Sequence, residues 1–129
     1  MSITGRTILI VDDEPFILAA TSRVLRDAGY IVHTCELWAG VLGIMKTHEP
    51  DLILLDYNMP SLKGDDICSI LKRNLGGADT KIVLYSSEDE GLLSALVPRC
   101  GADGYISKCT PGSLLAQHVD RFLALEPVA

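Results

Sequence analysis

A chain of 129 residues, 48% of them hydrophobic, is long enough to bury one core and too apolar to stay disordered. No stretch reaches the roughly 20 apolar residues that span a bilayer, and Met1 to Arg6 carries one Arg ahead of a strand with no signal-peptide core, so a cytoplasmic location is expected. The net charge of −6 opposes a phosphate backbone and no Lys/Arg run offsets it, which argues against direct nucleic-acid binding by this chain and against a membrane partner.

The first strand is predicted at Thr7 to Val11. A helix opens at Pro15, a residue that suits the first helical position. Ile17, Thr21, Val24, Leu25 and Ala28 share one face of it, and Gly29 is placed to end it. Tyr30 to Cys35 reads as the second strand. Leu37, Val41, Ile44, Met45 and His48 repeat at helical spacing up to Pro50, with Gly40 and Gly43 each weakening that helix by about 1 kcal/mol relative to Ala. The third strand, Asp51 to Leu55, leads into a turn rich in Asn, Pro, Ser and Gly, and a helix from Gly64 to Asn74 follows. Gly76-Gly77 breaks the pattern before a fourth strand through Ile82-Val83-Leu84-Tyr85. Ser87 and Glu90 are spaced as a capping box for a fourth helix, which Pro98 should kink or end near Val97. Gly104 to Ser107 is a short fifth strand. Thr110 then reads as an N-cap with Pro111 at the first helical position, and the last helix runs to about Leu125.

Strand and helix thus alternate five times, the pattern of an α/β domain. Parallel strands joined by right-handed crossovers are buried on both faces, and such a sheet carries its site outside the carboxyl ends of the strands. Cys35, Cys68, Cys100 and Cys109 lack C-x-x-C spacing and read as free thiols in a reducing compartment. His33, His48 and His118 do not supply the closely spaced ligands that zinc would need.

Four of the apolar runs end in reactive groups: Asp12-Asp13, Asp56, Ser86 and Lys108. If the strands are parallel neighbours, these groups emerge together. Crowded carboxylates repel, and a hard cation with oxygen ligands such as Mg²⁺ offsets them. Acids just before a helix also favour its dipole, and Asp12-Asp13-Glu14 taken alone fits either reading. Asp56 needs no deprotonation to act as a nucleophile at neutral pH. Lys108 can supply fixed positive charge to a phosphoryl group and Ser86 a hydroxyl. Taken singly, Lys108 also fits a solvated surface lysine and Ser86 a turn or cap hydroxyl.

At these residues the chain resembles the receiver domain of two-component response regulators. The resemblance runs from about Thr7 to Leu125 and is carried by Ile10-Val11-Asp12-Asp13-Glu14, Leu55-Asp56-Tyr57-Asn58-Met59-Pro60, Ser86-Ser87-Glu88 and Gly101-Ala102-Asp103-Gly104-Tyr105-Ile106-Ser107-Lys108. It implies a (βα)5 flavodoxin-like fold with a five-stranded parallel sheet of order 2-1-3-4-5, as one receiver domain with its core at about 6–126 and no effector domain in this chain. It implies Asp56 as phosphoacceptor, and Mg²⁺ held by Asp13 and Asp56, by Asp12 through water and by the backbone carbonyl of Asn58. Ser86 would be the switch hydroxyl, Tyr105 the switch aromatic, and Lys108 the partner of the phosphoryl group. Asn58 and Glu88 would tune phosphoryl lifetime. The implied donor is a histidine kinase or histidine phosphotransfer protein. The effector is not implied, and a phosphorylation-dependent homodimer is left open. Such a domain assists its own phosphoryl transfer but is a signalling domain rather than an enzyme. Tyr105 also fits a half-buried strand residue with its hydroxyl in water.

Two departures from the family stand out. Cys109 follows Lys108 where the family has Pro after a cis bond. A cis bond before a non-proline residue costs about 3 kcal/mol, so a trans Lys108-Cys109 bond and a differently routed loop are expected, with Lys108 less well aimed. Pro98 interrupts the fourth helix. Ser87 is a milder change, slightly larger than the common Ala and expected to narrow access to Asp56. Three other functions share parts of this pattern. A receiver-like interaction module free of phosphorylation control would keep these residues. A haloacid-dehalogenase-type phosphatase would need D-x-D after the first strand, where this chain has adjacent acids. A nucleotide or flavin carrier would need a phosphate cradle that the first loop lacks.

Overall fold

Five short apolar strands pair into one sheet of order β2-β1-β3-β4-β5, every neighbouring pair parallel. The strands are β1 (Thr7–Val11), β2 (Ile31–Cys35), β3 (Leu52–Asp56), β4 (Lys81–Ser86) and β5 (Gly104–Ser107). The helices are α1 (Pro15–Asp27), α2 (Val41–His48), α3 (Gly64–Asn74), α4 (Glu90–Cys100) and α5 (Gly112–Ala124). This computed structural model describes residues 5–57, 64–74 and 79–124, with the backbone alone at 64–68. The expected α/β class and strand order are therefore both found. Among the described residues, no helix is long and apolar enough to cross a membrane.

Alternation along the strands sorts side chains to the two faces. Leu9, Val11, Ile53, Leu55, Ile82 and Leu84 face a core completed by Val41, Met45, Leu71 and Leu96 from α2, α3 and α4. Ile8, Ile10, Leu52, Leu54, Val83, Tyr85 and Ile106 face a second core completed by Leu18, Leu25, Leu115, Val119 and Leu123 from α1 and α5. Each fully buried Leu or Ile stabilises the fold by about 1.5–3 kcal/mol, so the central strands, covered on both faces, are its stiffest part.

Several boundaries depart from expectation for identifiable reasons. β3 is shifted by one residue. The Asp51 carboxylate accepts the Thr7 N–H at 2.8 Å, and Asp56 joins the ladder opposite Tyr85. A 3-10 turn at Trp38–Gly40 precedes α2. The cap of α4 is Asp89 rather than Ser87: its carboxylate accepts the Leu92 N–H at 3.3 Å. The chain before it turns differently, with the Glu88 N–H donating to Ser86 Oγ at 3.1 Å.

Pro98 neither ends nor breaks α4 at Val97, and the helix continues to Cys100. The N–H that Pro98 lacks would have met the Ser94 carbonyl on the exposed side of the helix, where water can satisfy it. Gly101 stops the helix, adopting φ 75° and donating its N–H to the Val97 carbonyl. At α5, Thr110 is part of a turn, its N–H bonded to the Ser107 carbonyl. Pro111 lies before the helix, and its carbonyl receives the N–H groups of Leu114 and Leu115. Cys35 and Cys100 are buried and Cys109 exposed, all as free thiols.

Because Pro98 sits in a helix that does not need it, Pro98→Ala is expected to stabilise the fold by about 1 kcal/mol or more. Urea denaturation should show a raised midpoint at unchanged slope. An unchanged midpoint would mean that the missing hydrogen bond is already fully offset.

Candidate functional site at the carboxyl edge of the sheet

The ladder extends one residue past two strands. The Asp12 N–H bonds the Cys35 carbonyl at 3.1 Å, and the Lys108 N–H bonds the Ser86 carbonyl at 2.9 Å. Strand alternation therefore still governs these residues. Asp12 continues the row of Ile8 and Ile10, Asp56 that of Leu52 and Leu54, and Lys108 that of Ile106. All three belong to the rows facing α1 and α5. Ser86 continues the other row, that of Ile82 and Leu84, and Tyr105 packs against the core on that side.

The acids converge. Asp12, Asp13 and Asp56 each present a carboxylate oxygen, and these oxygens lie within 4.8 Å of one another. Asp12 is fully buried and Asp56 is 2% exposed; Asp13 is the most open of the three. At that separation each pair of carboxylates repels by about 3 kcal/mol in a medium of effective dielectric about 20. The Lys108 ammonium answers part of this charge, at 2.7 Å from Asp12 Oδ2 and 3.4 Å from Asp56 Oδ1. Glu14 Oε1 is 3.8 Å away but mostly exposed, so it contributes little.

Among the described residues, three carboxylates against one ammonium leave an excess of two negative charges. Asp12 Oδ1 accepts the Glu14 N–H at 3.0 Å. Asp12 Oδ2 is buried against the Lys108 ammonium at 2.7 Å and, among the described residues, has no hydrogen bond of good geometry. A buried acceptor left this way, in a cluster of hard oxygens, fits a divalent cation that takes oxygen ligands. Asp12, Asp13 and Asp56 are the residues that could hold it. Asn58, expected to add a backbone carbonyl, lies outside the described residues.

The Lys108–Cys109 bond is trans, there being no cis bond among the described residues. The loop is turned by Ser107, whose Oγ accepts the Cys109 N–H at 3.1 Å and whose carbonyl accepts that of Thr110 at 3.0 Å. The expected loss of aim does not follow: the Lys108 side chain is only 9% exposed and lies among the acids. Burial pulls its pKa down, but Asp12 and Asp56 push it up by more, so the net direction is up.

Ser86 is fully buried at the same edge. Glu88 is exposed and touches the site through its backbone N–H. Tyr105 is half-buried and lines a hollow between α4 and α5 with Ser94, Val97 and Phe122. Two residues that the sequence places only in a helix face and a strand lie beside the site. The Tyr85 ring centroid lies 5.9 Å from Lys108 Nζ, and the Tyr85 hydroxyl lies 3.2 Å from Thr21 Oγ1. The only available signal was a Tyr inside an apolar strand, whose hydroxyl must find a partner when buried.

Comparison with known proteins points one way. The family model for the response regulator receiver domain matches residues 8–120. The chain is 34% identical over 116 residues to the phosphate regulon transcriptional regulatory protein PhoB of Pseudomonas aeruginosa, covering 88% of this chain and 50% of that protein. It is 32% identical over 101 residues to the transcriptional regulatory protein KdpE of Mycobacterium tuberculosis, covering 78% and 43%. It thus spans about half the length of these relatives or less. Among solved structures, the chemotaxis protein CheY4 of Vibrio cholerae superposes with a TM-score of 0.84 at 25% identity, covering 92% of this chain and 99% of that one.

Burial sets the pH response of the folded state. Burial raises the Tyr85 pKa against the opposing pull of Thr21 and Lys108, and Lys108 is also raised. Groups raised on folding stabilise fully below their unfolded pKa, and that stability is lost as pH rises beyond it. The unfolding midpoint should therefore hold up to about pH 10, the ordinary range of Tyr and Lys, and fall above it. Tyr85→Phe should reduce that alkaline slope. A midpoint that rises above pH 10 would contradict the assignment.

Proposed function

The chain belongs to the response regulator receiver domain family, and from that premise we propose that it is a phosphorylation switch with Asp56 as acceptor. The donor is a histidine kinase or histidine phosphotransfer protein. The observation that carries the reading is the pairing of a nearly buried carboxylate with a buried ammonium at 3.4 Å, in a cluster with two negative charges to spare.

In this reading Asp12, Asp13 and Asp56 would hold Mg²⁺, with Asp12 reaching it through water and the Asn58 carbonyl as a further ligand that the family resemblance implies. When bound, Mg²⁺ offsets the repulsion between the carboxylates and the anionic donor. An Asp56 oxygen attacks phosphorus, the bond to the donor's leaving atom breaks, and the leaving group departs with its electron pair. Lys108 turns from Asp12 and Asp56 toward the transferred phosphoryl oxygens, a charge-assisted contact needing no proton transfer. Ser86 donates its hydroxyl to the same group.

Ser86 and Tyr105 belong to the opposite strand rows from Asp56, so movement of Ser86 is passed to the α4 side of the sheet. Tyr105 then turns inward, the local charge change biasing a two-state element. The family resemblance assigns Glu88 and Asn58 the role of tuning how long the phosphoryl group lasts, by admitting or blocking the water that ends the signal. The longer relatives PhoB and KdpE are transcriptional regulatory proteins.

Incubation with Mg²⁺ and acetyl phosphate should add one phosphoryl group by intact mass, and Asp56→Asn should abolish it. Chelation of Mg²⁺ should slow labelling about tenfold or more. An unlabelled wild type, or undiminished labelling of Asp56→Asn, would sink the proposal and favour an interaction module free of phosphorylation. Mg²⁺ at about 100 times its Kd should also stabilise the fold by about 2.7 kcal/mol, a gain that Asp13→Asn should largely remove.

A further inference from the structure

We propose that Tyr85 is a positioning residue for Lys108, its ring face holding the ammonium over Asp56 while Thr21 on α1 pins the ring. Four observations converge. Tyr85 and Asp56 are register partners across β3 and β4 and belong to strand rows facing the same side. The Lys108 ammonium lies 5.9 Å from the Tyr85 ring centroid, within the reach of a cation–π contact. Tyr85 is 4% exposed and Thr21 5% exposed, and their hydroxyls are 3.2 Å apart. The Lys108 loop has a trans bond and is turned through Ser107, so its backbone does not carry the cis-proline geometry of the family.

The chemistry explains why an aromatic suits this place. A Leu of the same row would fill the core equally well and leave the buried ammonium facing hydrocarbon. An aromatic face attracts a cation without supplying a carboxylate, so it adds no negative charge to a cluster that already has too much. It also does not take the place of a phosphoryl oxygen as hydrogen-bond acceptor for the three N–H donors of the lysine. The hydroxyl contact with Thr21 anchors the far end of the ring, and close packing in the core holds the ring beside the ammonium. Tyr85 thus acts through Lys108 and does not meet the phosphoryl donor.

The kinetic part of the test rests on the proposed phosphorylation of Asp56; the spectroscopic part does not. In the wild-type protein, ring current should move the Lys108 side-chain methylene protons upfield, and Tyr85→Leu should return them to ordinary values. In acetyl phosphate labelling, Tyr85→Leu should be about five- to tenfold slower, on the scale of one desolvated cation–π contact, and Tyr85→Phe should recover the larger part of the loss. In a Lys108→Met background, Tyr85→Leu should add no further loss, as a double-mutant cycle requires of residues acting as one. Lys108 methylene shifts that are ordinary in the wild type would overturn the inference even if Tyr85→Leu fails to fold. A Tyr85→Leu loss that persists in full without Lys108 would overturn it too, reducing Tyr85 to a core residue. An unlabelled wild type with shifted Lys108 protons would defeat the proposed function and leave the positioning contact supported.

Discussion

Charge imbalance at the carboxyl edge of the sheet is the constraint on which the rest depends. Two of the three acids are all but buried, their oxygens are within 4.8 Å, and one ammonium of the described residues stands among them. Left to itself such a cluster would spread into water. It holds because Asp12, Asp56 and Lys108 are rooted in the sheet ladder, whose strands are fixed by apolar cores on both faces. The cores contribute most of the fold's stability, and the site draws on it to keep like charges together.

Strand alternation gives the edge two sides. One set of rows delivers Asp12, Asp56, Tyr85 and Lys108 to the α1 and α5 side; the other delivers Ser86, with Tyr105 packed against the same core. The charged chemistry and the groups proposed to transmit it therefore lie on opposite faces of one sheet edge.

The fold was legible because its signals are local. Runs such as Leu52-Ile53-Leu54-Leu55 can hardly be anything but buried strands, and Gly29 and Gly64 bracket helices found where they were expected. The four strand-end groups were legible for the same reason, since parallel pairing carries all ends to one edge. Details set by competition between neighbours were not. Ser87 and Asp89 both suit a cap, and which one is used depends on how the turn after Ser86 is tied. Pro98 is a helix breaker by intrinsic preference, yet it is tolerated where solvent can reach the carbonyl it leaves unpaired. Lys108 looked poorly aimed because the reading rested on its chain neighbour Cys109, while its aim is decided by Asp12, Asp56 and Tyr85, far away in sequence.

The sequence by itself determined the α/β class, the five strands, the identity of the acids, hydroxyl and lysine at their ends, and the resemblance that names the family. Periodicity and chain-local chemistry suffice for these. Only the tertiary structure decided how close the acids come, which oxygen of Asp12 is left without a directed partner, and that a tyrosine held by a threonine from α1 stands beside the lysine. Those are distances between residues 64 to 96 positions apart in the case of Thr21, Tyr85, Asp12 and Lys108, and no local pattern encodes a distance that only the packing of helix on sheet creates.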